Sequence, residues 1–187
     1  MSDQQAVFPV PQSPFGTQPG ATARTFVDAA HVRIVEEPFL RLISVRFSRQ
    51  VELAAVAERL QLSATQAPNS YLASAGREAA RYEPRAWLLI GGPDDALPSA
   101  VAGSLVTDLS ARLASFRIGG TAATRILGSS TSVCPAPGGF VRTLFAESYP
   151  VLLQCLGVQD FRLLVDVSLA SACADWLTDA ATLSTQA

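Results

Sequence analysis

The sequence predicts an α+β fold of two similar strand-helix-strand-strand-helix halves with antiparallel sheets, preceded by an extended N-terminal segment. Three observations carry this prediction. Short runs alternate at period two, as where Ile43, Val45 and Phe47 interleave with Ser44, Arg46 and Ser48. Stripes at helical spacing follow them, as with Leu53, Val56, Ala57 and Leu60. The order strand then helix also recurs: Phe39–Leu62 resembles Leu113–Gly128, and Arg85–Gly103 resembles Phe161–Leu177. Helices gathered on one side of each sheet are the packing solution for such halves.

Residues 1–30 contain Pro9, Pro11, Pro14, Pro19, Gly16 and Gly20 with little periodicity, so they read as an extended segment ahead of one domain over residues 31–187. Phe8, Phe15 and Phe26 punctuate it, and such a strip can lie in a partner's groove. His31–Glu37 and Phe39–Ser48 read as strands broken at Pro38, and Val51–Leu62 as the first helix. Ser70–Ser74 reads as a short strand, Arg77–Pro84 as a polar turn, and Arg85–Ile90 as a central strand apolar on both faces. A turn over Gly91–Asp95 leads to a short helix near Ala96–Ala102.

Leu105–Leu109 and Ala114–Ile118 are strands flanking an Asp108-Leu109-Ser110 turn. Gly119-Gly120 breaks the second, and a helix carrying Ala122, Ala123, Ile126 and Leu127 is expected to end at Gly128. Phe140–Ala146, Val151–Leu156 and Phe161–Val167 form an antiparallel meander. Ser168 is the expected N-cap of a last helix with Leu169, Ala172, Cys173, Trp176, Leu177 and Ala180 on one face, fraying from Thr182.

Composition narrows the function. Of 187 residues, 49% are apolar and 16% charged, below the usual quarter, which points to a surface covered by a partner. A net charge of −2 with no basic block argues against phosphate-driven nucleic-acid binding. Neither a secretory leader nor a membrane span is legible, so a cytoplasmic location is expected. Cys134, Cys155 and Cys173 are odd in number and lack metal-ligand spacing, which reads as free buried thiols.

Signals for catalysis are sparse. The single histidine, His31, lies beside the N-terminal segment, and no serine elbow or paired-histidine zinc motif accompanies it. Glycine-rich phosphate cradles are missing too. Gly128–Ser132 could offer hydroxyls to an anion but reads as a surface loop. Asp108, a carboxylate at an apolar strand-turn, could be a perturbed acid or base; the adjoining Ser110 favours a turn cap. Trp87 and Trp176 read as core or interface anchors.

The passage Leu105–Leu127, with its Asp-Leu-Ser turn, short strand, glycine and small-residue helix, resembles the folate-binding aminomethyltransferase superfamily. Further on come Cys134-Pro135-Ala136-Pro137-Gly138-Gly139-Phe140, Pro150-Val151-Leu152-Leu153, Phe161-Arg162-Leu163-Leu164-Val165, Ser168-Leu169-Ala170-Ser171 and Asp175-Trp176-Leu177. In that order they resemble the gamma subunit of heterotetrameric sarcosine oxidase. The resemblance implies a non-catalytic subunit of a complex that oxidatively demethylates an N-methyl amino acid and passes the one-carbon unit to tetrahydrofolate. FAD, FMN, NAD, tetrahydrofolate and zinc are then expected in the alpha, beta and delta partner subunits, chiefly alpha being the neighbour, and no catalytic, cofactor or metal residue in this chain. Ala111 stands where relatives carry a histidine, and Val133-Cys134-Pro135 replaces their aspartate, so no folate ligand carries over. The alternatives are the same role in a complex acting on another N-methylated amine, and a free folate-binding carrier. As a subunit, the chain is expected to dock through its N-terminal segment, with Phe8 and Phe15 as anchors, and through strands apolar on both faces such as Val151–Leu156.

Overall fold

The computed structural model describes residues 12–47, 57–58, 67–74, 77–95 and 97–184. In chain order its strands are β1 (Thr25–Ala29), β2 (Val32–Glu36), β3 (Arg41–Phe47), β4 (Ser70–Ser74), β5 (Arg77–Glu83), β6 (Ala86–Gly91), β7 (Ser104–Asp108), β8 (Leu113–Gly119), β9 (Phe140–Phe145), β10 (Tyr149–Gly157) and β11 (Asp160–Asp166). Its helices are α1 (Ala123–Ser130) and α2 (Ala170–Ser184). All the strand pairs are antiparallel, in a six-stranded sheet ordered β1-β2-β8-β11-β10-β9 and a five-stranded sheet ordered β4-β5-β6-β3-β7.

The two orders are one order used twice. β4, β5, β6, β3 and β7 occupy the places that β9, β10, β11, β8 and β2 occupy in the larger sheet. Residue register supports the match: the β5–β6 hairpin shifts between Arg81 and Glu83, and the β10–β11 hairpin shifts at the corresponding place between Cys155 and Gly157. Period-two alternation is kept on both sides of each sheet, so Ile43 and Val45 correspond to Phe116 and Ile118, which all face outward cores.

The strand that opens each half crosses to the other half's sheet. β2 pairs with β8, and β7 pairs with β3. At the first crossing Pro38 ends the strand, Phe39 adopts φ 65°, and Glu37 N donates to Ser115 O at 2.8 Å. At the second, Leu109 N donates to Leu42 O at 2.8 Å and Leu42 N to Ser110 Oγ at 2.9 Å. Each half therefore completes the other's sheet, and neither has a full sheet alone.

Three apolar clusters result. One lies between the six-stranded sheet and helices α1 and α2, one on the outer face of the five-stranded sheet, and one between the sheets around Leu42, Leu88, Ile90, Phe140 and Leu164. This layering corrects an expectation. The strand Val151–Leu156 is apolar on both faces because the chain itself covers both: Val151, Leu153 and Cys155 face the helices, and Leu152 faces the other sheet.

Several local expectations also change. Arg77–Glu83 is a strand rather than a turn, its charged residues tolerated because Glu78 points at an arginine of the opposite sheet. Residues 97–102 form no helix; Leu97 and Val101 pack against the outer face of the five-stranded sheet. α1 runs through Gly128 to Ser130, its last turn held by Ser129 Oγ and Ser130 Oγ donating to Ile126 O and by Thr131 Oγ1 donating to Leu127 O. Three of the four hydroxyls of the expected surface loop, those of Ser129, Ser130 and Thr131, are thus spent on the helix end. The last helix is led in by a 3-10 turn over Val167–Leu169 whose cap is Asp166, not Ser168; Asp166 Oδ1 accepts from Ser168 N at 3.0 Å. Its buried face is Ala170, Cys173, Ala174, Leu177 and Ala181, and it continues to Ser184.

Within the expected N-terminal segment, Thr25–Ala29 is strand β1, hairpinned to β2, so the boundary drawn at residue 30 falls in the hairpin turn. Gly120 seals the next connection: at φ 113° it lies so close to the chain that a Cβ would sit 2.4 Å from His31 O. Of the helix expected over Val51–Leu62, Ala57 and Glu58 are helical and the rest lies outside the described residues, as does Phe8.

Candidate functional site

The layer between the sheets is asymmetric in chemistry although symmetric in backbone. Leu42, Ala80 and Leu88 of the first half have as counterparts Ser115, Gln154 and Arg162 of the second. Arg162 is 5% exposed and Gln154 fully buried. A buried guanidinium needs a partner for every donor it can offer.

Each nitrogen of Arg162 finds a partner, on three elements in all. Nε donates to Glu37 Oε2 at 2.7 Å and Nη2 to Glu37 Oε1 at 3.3 Å, at the β2–β3 crossing. Nη1 donates to Glu78 Oε1 and Oε2 at 3.0 and 2.9 Å on the opposite sheet, and to Gln154 Oε1 at 3.0 Å. Gln154 Nε2 donates to Glu78, and Ser115 Oγ to Glu37 Oε2 at 3.0 Å. Arg117 extends the network, pairing with Asp160 and reaching Glu37 at 3.5 Å. Burial alone would lower the Arg162 pKa; the hydrogen bonds and charges of Glu37 and then Glu78 outweigh it and hold the guanidinium above its ordinary value.

All three guanidinium nitrogens are engaged, so this arginine is committed to the protein. It ties both sheets to one crossing, as a strut. The sequence carried one signal for it: a charged residue inside the apolar run Phe161-Arg162-Leu163-Leu164-Val165.

The other crossing residues hold the N-terminal segment. Glu36, 1% exposed, accepts from Ser13 Oγ at 2.5 Å and Thr17 Oγ1 at 2.6 Å. Ser13 Oγ in turn accepts from the backbone of Phe15 and Thr17, each at 3.1 Å. Phe15 and Phe26, both partly buried, do not project freely from the segment.

 Instead the rings of Phe15 and Phe26 lie 4.8 Å apart and both meet Phe116, at 5.8 and 5.6 Å, with the Arg24 guanidinium above them. Phe15, expected as an anchor for a partner, is thus an anchor in the chain's own core. The cleft between residues 12–14, the first crossing and Ser110–Ser115 is about 10 Å³, room for no more than a water.

Asp108 is the counterpart of Glu36, since each ends the strand that crosses between halves. Its Oδ1 accepts from Ser110 N at 2.8 Å, the turn cap expected, and its Oδ2 lies 3.7 Å from Arg41 Nη2. His31 borders an open groove of about 420 Å³ with Thr121, Ala122, Arg125 and Ser184. Its Nε2 is buried without a hydrogen bond, and Arg125 Nη2 donates to Ser184 O at 2.5 Å. Among the described residues that line the groove, none is a carboxylate that could orient the imidazole as a base.

The thiols are unactivated. Burial raises the pKa of Cys134 and Cys155 and pushes that of Cys173 up to about 12. Trp87 is fully buried beside Phe47, while Trp176 is half-buried against Phe145 with ring centroids 4.9 Å apart. Among the described residues no group of three or more His, Cys, Asp or Glu is placed to hold a metal, and no helix is long and apolar enough to cross a membrane.

Solved structures share this architecture. A chain of the heterotetrameric sarcosine oxidase from Corynebacterium sp. U-96, in complex with pyrrole 2-carboxylate, matches with a TM-score of 0.72 and 24% identity over 82% of this chain and 86% of that one. Glycine cleavage system aminomethyltransferase T from Bartonella henselae matches with a TM-score of 0.59 and 17% identity over 79% of this chain and 45% of that one. The fold is aminomethyltransferase-like. This chain spans less than half of the aminomethyltransferase but most of the oxidase chain. No family model and no curated protein sequence matches it.

Proposed function

We propose that this chain is a non-catalytic, gamma-type subunit of a cytoplasmic, sarcosine oxidase-like complex that oxidatively demethylates an N-methyl amino acid, and that it acts in assembly and stabilisation. The observation that carries this reading is the likeness, over most of both chains, to one chain of a heterotetrameric oxidase, against a likeness to only part of an aminomethyltransferase. The chemistry of the site supports it: each nitrogen of the buried guanidinium already bonds to a side chain of the same chain, and the thiols are held protonated. FAD, FMN, NAD, tetrahydrofolate and zinc belong, on this reading, to the partner subunits.

Co-expression with a large flavin-bearing subunit and the two smaller chains tests it. The expected result is a stable complex with one copy of this chain, in which flavin absorbance follows the partners, and no heat of tetrahydrofolate binding to this chain alone. A chain that binds tetrahydrofolate by itself and assembles with nothing would overturn the reading and favour a free one-carbon carrier.

A further inference from the structure

Among the described residues the six-stranded sheet has a strand that the five-stranded sheet lacks. Beyond β2 the larger sheet continues into β1; beyond β7, the counterpart of β2, the smaller sheet has no further described strand. A repeat of the β1–β2 hairpin would need a strand just before β7. There the chain turns inward instead, burying Leu97 and Val101, and Ser104 N donates back to Val101 O at 3.1 Å.

The outer edge of β7 is built for pairing. Leu109 N donates to Leu42 O, and antiparallel bonding alternates, so Leu105 and Thr107 turn their backbone groups toward β3 while Val106 and Asp108 turn theirs away. In the larger sheet the corresponding outward positions are filled: Ile34 pairs with Val27, and Glu36 N donates to Arg24 O at 2.8 Å. Natural edges are usually blunted by charge, proline or a bulge. β1 has a bulge between Thr25 and Val27 and carries Asp28. Ser104–Thr107 has neither charge nor proline, the Asp108 carboxylate that ends the strand is taken up by Ser110 N and Arg41, the register against β3 is unbroken, and Leu105 is 66% exposed beside it.

We propose that β7 accepts an extended segment of the larger partner subunit, added antiparallel to its outer edge as β1 is added to β2. This deepens the subunit reading and rests on it. Two copies pairing β7 with β7 would bury only a few hundred Å², well under the roughly 1,000 Å² of a specific interface. An arm of a larger chain, anchored elsewhere, has no such limit. The chemistry of the edge asks for about five uncharged residues with a β-branched or apolar side chain against Leu105.

Two variants of the full chain, co-expressed with the partner subunits, test this. Val106→Pro removes an outward N–H while sparing the ladder to β3, and Leu105→Lys charges the edge. Each should weaken assembly roughly tenfold, the loss expected from one or two interface hydrogen bonds; because Leu105 is exposed whereas Val106 packs on the outer core, Leu105→Lys should do so with thermal unfolding of the variant chain nearly unchanged. In the wild-type complex the Val106 and Asp108 amides should exchange slowly with deuterium. Wild-type assembly with both variants binding equally well and these amides exchanging fast would overturn the inference while leaving the subunit reading intact. Self-association through β7, abolished by Val106→Pro, would also overturn it. Failure of the wild-type chain to assemble at all would overturn both.

Discussion

Replacing Arg162 by alanine removes the cation that Glu78 pairs with, at 2.9 Å, and the partner of the fully buried Gln154. Glu37 is less affected, because Arg117 stays at 3.5 Å and Ser115 Oγ at 3.0 Å. Removing one member of a buried ion pair costs about 3–5 kcal/mol. The Glu37 and Glu78 side chains are 21% and 20% exposed, so water recovers part of the loss and the lower end, about 3 kcal/mol, applies. For a domain of this size that lowers the melting temperature by roughly 6–12 °C.

The first half of the chain supplies the control. Counterparts of Gln154, Arg162 and Glu78 are Ala80, Leu88 and Leu152, so an apolar layer is compatible with the same backbone. Arg162→Met, Gln154→Leu and Glu78→Leu together should therefore recover most of the loss, since replacing a buried ionic group by apolar residues of similar volume is often neutral or better. Urea unfolding with linear extrapolation measures all three proteins. A cost below about 1 kcal/mol for Arg162→Ala would show that the network is not a strut. A triple variant as unstable as the single one would show that unpaired charge is not the cause.

Two further outcomes follow from the geometry. Asp108→Asn keeps an acceptor for Ser110 N and loses the charge facing Arg41, so stability should fall by about 1 kcal/mol while turnover of the assembled complex stays near wild-type; a loss of turnover by orders of magnitude with assembly intact would mark a catalytic carboxylate. Cys173 keeps its proton to about pH 12 when folded, but its ordinary value is 9.0, so the unfolded chain ionises first. Its contribution is complete below pH 9 and is lost as pH rises toward 12, at about 1.4 kcal/mol per pH unit. Urea denaturation at pH 8 and pH 10 should show a smaller decline for Cys173→Ala than for wild-type, and equal declines would refute the assignment.

The sequence by itself determined most of the strands, the meander of β9, β10 and β11, the strand break at Pro38 and the turn at Asp108-Leu109-Ser110, and the repetition of one half in the other. Those features are local: period-two alternation, a proline that ends a strand and short polar side chains that turn the chain are each written within a few residues. Asp108 was legible as a cap for the same reason. Tertiary structure decided what local pattern cannot encode. Arg77–Glu83 looks like a polar turn until Glu78 meets Arg162 from the opposite sheet, and Val151–Leu156 looks like an exposed apolar patch until both its faces are covered from within. Phe15 looks like a hook for a partner until Phe26 and Phe116 close around it. Strand exchange explains these cases together: each half finishes the other's sheet, so the neighbours that set burial and charge lie 80 or more residues away for Glu78 with Arg162 and for Phe15 with Phe116, beyond the reach of any window read along the chain.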